Sequence, residues 1–126
     1  MIVGLGTDIV EIARIRHLWQ RQGERFAQRL LTEVEQQALQ ASAQPERFLA
    51  KRWAAKEALA KALGTGIAQG IGFQQMQVNH HKSGQPFWQC TGEVSKRMAQ
   101  MGVQYSHLSL SDEQHYAIAT VILETG

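Results

Sequence analysis

An α+β fold is predicted for this chain by three features of its sequence. Residues 11–63 carry apolar positions at helical spacing, punctuated by a capping box, a proline at a helix start and a glycine at a helix end. Residues 72–123 change to short alternating runs separated by turn residues, the habit of strands. The 126 residues, 44% apolar and 19% charged, suffice for one domain with a modest core. No linker, low-complexity tract or repeat divides them. A helical first half followed by a mostly β second half is the α+β arrangement.

Each element has its own reason. Ile2, Val3, Leu5, Ile9 and Val10 predict a buried strand over Ile2 to Val10, and Gly4 and Gly6 permit close approach of another backbone. A helix follows from Glu11 to Gln22, with Ile12, Ile15, Leu18 and Trp19 as its inner stripe and Gly23 as its stop. Arg25 to Leu31 is a short connecting segment. Thr32-Glu33-Val34-Glu35 places threonine at an N-cap and glutamate three residues on, which opens a helix to Ala41. Pro45 suits the first turn of the long central helix, which runs to Leu63 with Gly64 closing it. Gly72 to His80 alternates weakly through Phe73, Met76 and Val78. Lys82 to Pro86 reads as a turn and Phe87 to Thr91 as the return strand. Glu93 to Met101 is a short amphipathic helix closed by Gly102. Tyr105 to Leu110 alternates, Ser111 to Gln114 is a turn, and Tyr116 to Leu123 is an apolar, β-rich run.

The formal net charge is only +2, but the cations are grouped. Arg14, Arg16, Arg21, Arg25 and Arg29 crowd one segment; Arg47, Lys51, Arg52, Lys56 and Lys61 lie on the central helix. Such grouping fits an acidic partner, a phosphate-rich ligand or simply a solvated helix surface. No nucleic-acid motif accompanies it, and aromatics are not interleaved with the basic residues. No run is long enough to span a bilayer, so no membrane role is expected. MIVGLGTDIV lacks a basic n-region and a small-residue cleavage site, and the single Cys90 excludes an internal disulfide. A cytoplasmic location is therefore expected. One cysteine and scattered histidines give no zinc spacing.

A few residues can carry chemistry. Asp8, late in the first strand, is either an N-cap for the following helix or a carboxylate that needs a partner or a metal. Trp53, Glu57 and Lys61 sit at i, i+4 and i+8 on one helical face; Glu57 and Lys61 in that order also suit an ordinary surface pair. The face leads to Gly64-Thr65-Gly66, a turn able to offer backbone N–H groups to a phosphate, though without the spacing of a P-loop. His107 falls on the strand face opposite Leu108 and Leu110, as a ligand contact or an exposed histidine. His80, His81 and His115 border turns and are expected in water. Cys90 has no neighbouring base and is not expected to be a nucleophile.

Three stretches together are more specific than any one residue. GLGTDIVEIARI near the start, RFLAKRWAAKEALAKALGTGI in the middle and HLSLSDEQHYAIATVIL near the end occur in that order and spacing. They closely resemble the bacterial holo-acyl-carrier-protein synthases, the short, single-domain branch of the 4'-phosphopantetheinyl transferases. The likeness covers essentially the whole chain. It implies a single transferase domain over residues 1–126, with the long central helix packed on a mostly antiparallel sheet. It implies Mg²⁺-dependent transfer of 4'-phosphopantetheine from coenzyme A to a serine of acyl carrier protein, in support of fatty acid biosynthesis. Asp8 and Glu57 are the magnesium ligands the resemblance implies, and Asp8, Glu57 and Lys61 the catalytic set. Arg52, Lys61, Gly64, Thr65, Gly66 and His107 are expected at the coenzyme, and Arg14, Arg21 and Arg25 at the acidic carrier protein. A homotrimer with active sites between subunits is implied as well. Ser111-Asp112 departs from the Ser-His that many relatives carry. The chemistry agrees: phosphoryl transfer needs charge neutralisation and positioning, and two carboxylates suit magnesium. An ammonium suits the departing phosphate oxygen. The serine needs a base, for which Glu57 and a metal-bound water are alternatives. The rival reading is a non-catalytic basic module that binds an acidic protein; it needs the arginines but not Asp8, Glu57 or Lys61.

Overall fold

The computed structural model describes residues 1–126. In chain order the elements are β1 (Ile2–Glu11), α1 (Ile12–Gln22), α2 (Glu24–Leu30), α3 (Glu33–Gln40), α4 (Pro45–Ala62), a 3-10 turn (Phe73–Gln75), β2 (Met76–His80), β3 (Pro86–Cys90), α5 (Gly92–Gln100), β4 (Tyr105–Asp112) and β5 (Tyr116–Glu124). The α+β order is the expected one, and Arg25 to Leu31 proves to be mostly helix. The strands make two sheets rather than one. β1, β5 and β4 pair antiparallel in that order, and β2 and β3 form a separate antiparallel hairpin. The first strand thus pairs with the last.

Helix α4 lies against the three-stranded sheet with a surface of small residues: Ala54, Ala55, Ala58 and Ala62 are all buried. That lets two backbones meet. A Cβ on Gly6 would sit 1.9 Å from the carbonyl oxygen of Ala58, and one on Gly4 would sit 2.5 Å from that of Ala62. Any side chain at either position collides with helix backbone, so the two glycines set the depth at which β1 crosses α4. Beyond Gly6 on the same strand face comes Asp8.

The expectation of a buried first strand holds for one face only. Gly6 and Val10 are buried with Leu108, Ala117, Ala119, Val121 and Leu123 of the neighbouring strands. Leu5 and Ile9 point the other way and are exposed, together with Tyr105, Tyr116 and Ile118. The period of two sends alternate residues to opposite faces, and no layer of this chain covers the outer one. Ser111 and Asp112, expected in a turn, are strand: the β4–β5 ladder continues to Asp112 opposite Ala117. The hairpin closes one residue later, where Glu113 N donates to Tyr116 O at 2.9 Å. The Glu113 carboxylate accepts from the N–H groups of His115 and Tyr116 at 2.6 and 2.7 Å.

The capping box forms as read. Glu35 N donates to Thr32 Oγ1 at 3.3 Å and Thr32 N donates to Glu35 Oε1 at 3.0 Å. The sequence did not announce the second task of Glu35. Its carboxylate is buried, accepts from Val78 N at 3.0 Å and meets Lys56 Nζ at 2.6 Å. Lys56, also buried, donates further to Leu30 O at 2.7 Å and Phe73 O at 3.0 Å. All three ammonium protons therefore have acceptors. The network ties α2, α3, α4, the 3-10 turn and β2 together behind the sheet.

Candidate active site

Asp8, Glu57 and Lys61 come together where β1 crosses α4. Asp8 is not an N-cap. It lies inside β1 opposite Ala119, and the cap of α1 is Glu11, which makes no side-chain capping bond. Nor do Glu57 and Lys61 pair as helical neighbours. Lys61 Nζ donates instead to Asp8 Oδ1 at 3.0 Å and to Thr7 O at 3.0 Å. The Asp8 side chain is 15% exposed and that of Lys61 53%, so the carboxylate is set back and the ammonium stands at the surface. Glu57 keeps its carboxylate free of such a partner. Burial and the negative charge of Asp8 push its pKa up, while Lys61 and Arg14 pull it down. Two carboxylates of one sign, one of them destabilised, and a cation at the rim make an electrostatically strained group that a hard cation and a phosphate would relieve.

Trp53, on the same helical face, is occupied by packing. Its ring tilts against Phe26 and Phe73 at centroid distances of 6.1 and 5.5 Å, and the Arg14 guanidinium lies 5.8 Å from its centre. Arg14 therefore borders Glu57 as well as the basic segment. Arg21 is in the last turn of α1 and Arg25 is an exposed residue of α2. Of these three cations it is Arg14 whose charge reaches Glu57.

The remaining expected coenzyme residues are placed elsewhere. Gly64 and Gly66 have φ of 78° and 63°, as a helix-ending turn requires. Its N–H groups are not free: Gly64 N donates to Lys61 O, and Thr65 N and Gly66 N both reach Ala60 O. They satisfy the last carbonyls of α4, which would otherwise lack donors, so the turn offers no ready phosphate cradle. Arg97 Nε adds a bond to Leu63 O at 3.0 Å. His107 is on the outer sheet face, where its Nε2 lies 2.6 Å from Glu124 Oε1; Asp8 is on the inner face. Arg52 is only 5% exposed, with Nε 3.2 Å from Glu35 Oε2 and its guanidinium 4.3 Å over the Phe48 ring. The solvated-helix reading of the second basic set thus fails for Arg52 and Lys56. A usable signal was their i,i+4 spacing on a helix whose other residues are mostly apolar.

Arg52 instead forms a wall of a cavity of about 390 Å³ lined also by Phe48, Lys51, His80, Pro86, Leu110 and Asp112. His80, expected in water, lines it; burial and the nearby Arg52 and Lys51 hold its pKa down. His81 stacks on Phe87 at 4.2 Å. Cys90 is inert as expected: burial raises its thiol to about 11 despite the nearby Lys56. The cavity lies on the β4 side of the sheet, whereas Asp8 lies on the β1 side.

Comparison with known proteins gives a consistent result. A family model, the 4'-phosphopantetheinyl transferase superfamily, matches residues 4–121. The holo-[acyl-carrier-protein] synthase of Vibrio cholerae is 54% identical over 124 residues, covering 98% of this chain and 98% of that one. The crystal structure of the holo-[acyl-carrier-protein] synthase from Neisseria meningitidis superposes with a TM-score of 0.93 at 40% identity, covering 99% of this chain and 100% of that one. The structure of a holo-(acyl-carrier-protein) synthase from Bacillus anthracis in complex with CoA (3',5'-ADP) superposes at 0.83 with 34% identity, covering 100% of this chain and 99% of that one.

Proposed function

The chain belongs to the 4'-phosphopantetheinyl transferase superfamily, and on that premise we propose that it transfers 4'-phosphopantetheine from coenzyme A to a serine of apo-acyl carrier protein, releasing adenosine 3',5'-bisphosphate. The observation that carries this is the meeting of Asp8, Glu57 and Lys61 at the glycine crossing of β1 and α4. Asp8 and Glu57 are hard oxygen donors and fit Mg²⁺, which keeps waters and completes its shell with phosphate oxygens. When bound there, the ion would neutralise charge on the diphosphate. Lys61, already at the surface, is placed to stabilise the departing phosphate oxygen. Glu57, with no proton donor of its own chain on its carboxylate, is available to take the serine proton.

The outer sheet face supports a trimer. Leu5, Ile9, Tyr105, Tyr116 and Ile118 form an exposed apolar surface on strands that meet no second layer. A ring of copies covers that face and sets the β1 edge of one copy beside the β4 side of the next. Asp8 of one copy then faces the basic cavity of its neighbour, and the coenzyme spans both, which accounts for Arg52 lying away from Asp8 within a chain. His107 and Glu124 fall in this interface. The basic rim of Arg14, Arg21 and Arg25 receives the acidic carrier protein. We place the reaction in the cytoplasm, in support of fatty acid biosynthesis; the lone Cys90 suits a reducing compartment.

The test is intact mass of apo-acyl carrier protein after incubation with coenzyme A and Mg²⁺. The carrier should gain one phosphopantetheinyl unit, and the gain should vanish with a chelator and with Asp8→Asn. An unmodified carrier with the unaltered protein would overturn the transferase reading and leave the basic docking module. Light scattering at assay concentration should give a trimer; an active monomer excludes the shared site.

A further inference from the structure

Asp112 is the one carboxylate on the walls of the basic cavity. A second cavity of about 320 Å³ adjoins the first through Phe48, Lys51 and Asp112 and reaches Arg47. Asp112 Oδ2 accepts from Arg47 Nη1 at 2.8 Å, and its Oδ1 lies 3.8 Å from Lys51 Nζ. Arg47 Nη1 also donates to Glu113 O at 2.7 Å. At the wall, Arg52 is nearly buried and turns its Nε away to Glu35 Oε2 at 3.2 Å. A nearly buried guanidinium on the wall, with Lys51 beside it and Arg47 in the adjoining cavity, describes an anion cavity. Asp112 stands where such an anion's counter-charges converge.

We propose that Asp112 is a built-in counter-ion of this cavity: it orders Arg47 and Lys51 at the mouth and weakens their hold on the 3'-phosphate of coenzyme A. The proposal rests on the coenzyme reading above. The diphosphate is matched by Asp8, Glu57 and Lys61 on the β1 side, so the remaining anionic group of the coenzyme is its 3'-phosphomonoester. A carboxylate near that dianion repels it and competes for the Arg47 fork. It thereby lowers affinity for the coenzyme and for the 3',5'-bisphosphate product alike.

Asp112→Asn tests this, because the amide keeps an oxygen acceptor for Arg47 and removes only the charge. The KM for coenzyme A should fall about three- to tenfold at low salt, and the gain should shrink at high salt. With 3'-dephospho-coenzyme A as donor the KM should not move, a distinction that a purely structural role of Asp112 cannot produce. An unchanged or raised KM for coenzyme A, or an equal change with both donors, overturns the proposal. Lys51→Met separates it from the underlying reading, with an expected rise of several-fold in the coenzyme A KM. No rise shows that the cavity does not hold the coenzyme and both ideas fall; a rise without the Asp112→Asn decrease sinks the counter-ion role alone.

Discussion

Helix α4 carries two assemblies of carboxylate and ammonium, and they differ in saturation. Around Lys56 every proton of the ammonium has an acceptor, and the Glu35 carboxylate also takes the N–H groups of Thr32 and Val78. Burial drives the Lys56 pKa down and Glu35 partly restores it. Around Asp8 and Glu57, the one ammonium stands at the surface and bonds Asp8 but not Glu57, and Glu57 is pushed toward protonation by burial and by Asp8. The first assembly has nothing left to bind and acts as architecture. The second leaves the Glu57 carboxylate without a donor, which is what the site proposed above requires. Both residue sets read alike in sequence; the difference is how many partners the fold delivers.

The sharpest way to break this comparison is Lys56→Met. It strands the Glu35 charge and the carbonyls of Leu30 and Phe73, and should cost about 3–5 kcal/mol in urea unfolding. A loss below about 1 kcal/mol would class the pair with surface salt bridges. Lys61→Ala should do the reverse. Turnover should drop roughly two to three orders of magnitude, the scale for one electrostatic stabiliser, with stability nearly unchanged. Intact turnover with a lowered melting temperature would make the Asp8–Lys61 contact structural.

Smaller effects sharpen the edges of the open assembly. Arg14→Ala removes a cation from its rim, so the KM for the carrier protein should rise about three- to tenfold, with a weaker salt dependence. The KM for coenzyme A should hold; equal shifts for both substrates in a two-substrate series would remove Arg14 from the docking surface. The smallest effect is on stability. Because the folded state raises the pKa of Glu57, the folded state binds more protons than the unfolded one as pH rises through the window between the two values. The contribution of Glu57 is thus fully present below the ordinary carboxylate value and lost as pH rises through the folded one. Glu57→Gln should therefore raise the melting temperature at pH 7 by about 1–3 °C, with activity lost, and the gain should disappear near pH 4. A lower melting temperature at pH 7 would mean that Glu57 is satisfied after all.

Local rules made most elements legible. The Thr32–Glu35 capping box, Pro45 at a helix start, Gly64 and Gly102 at helix ends and the alternation of Tyr105 to Leu110 each depend on near neighbours in sequence, and each formed. The order of the Asp8, Glu57 and Lys61 motifs was legible too, because a resemblance needs only residues and spacing. The tertiary structure decided who meets whom. That Lys61 turns to Asp8 rather than to Glu57 depends on two glycines letting β1 touch α4, a contact across more than fifty residues. That Gly64, Thr65 and Gly66 give their N–H groups to α4 follows from the unmet carbonyls at its end. That Lys56 and Arg52 are buried, Leu5 and Ile9 exposed, and Asp112 paired with Arg47 depends on which layer covers which face. Burial and long-range pairing are properties of the assembled chain, and a local pattern of charges has no term for them.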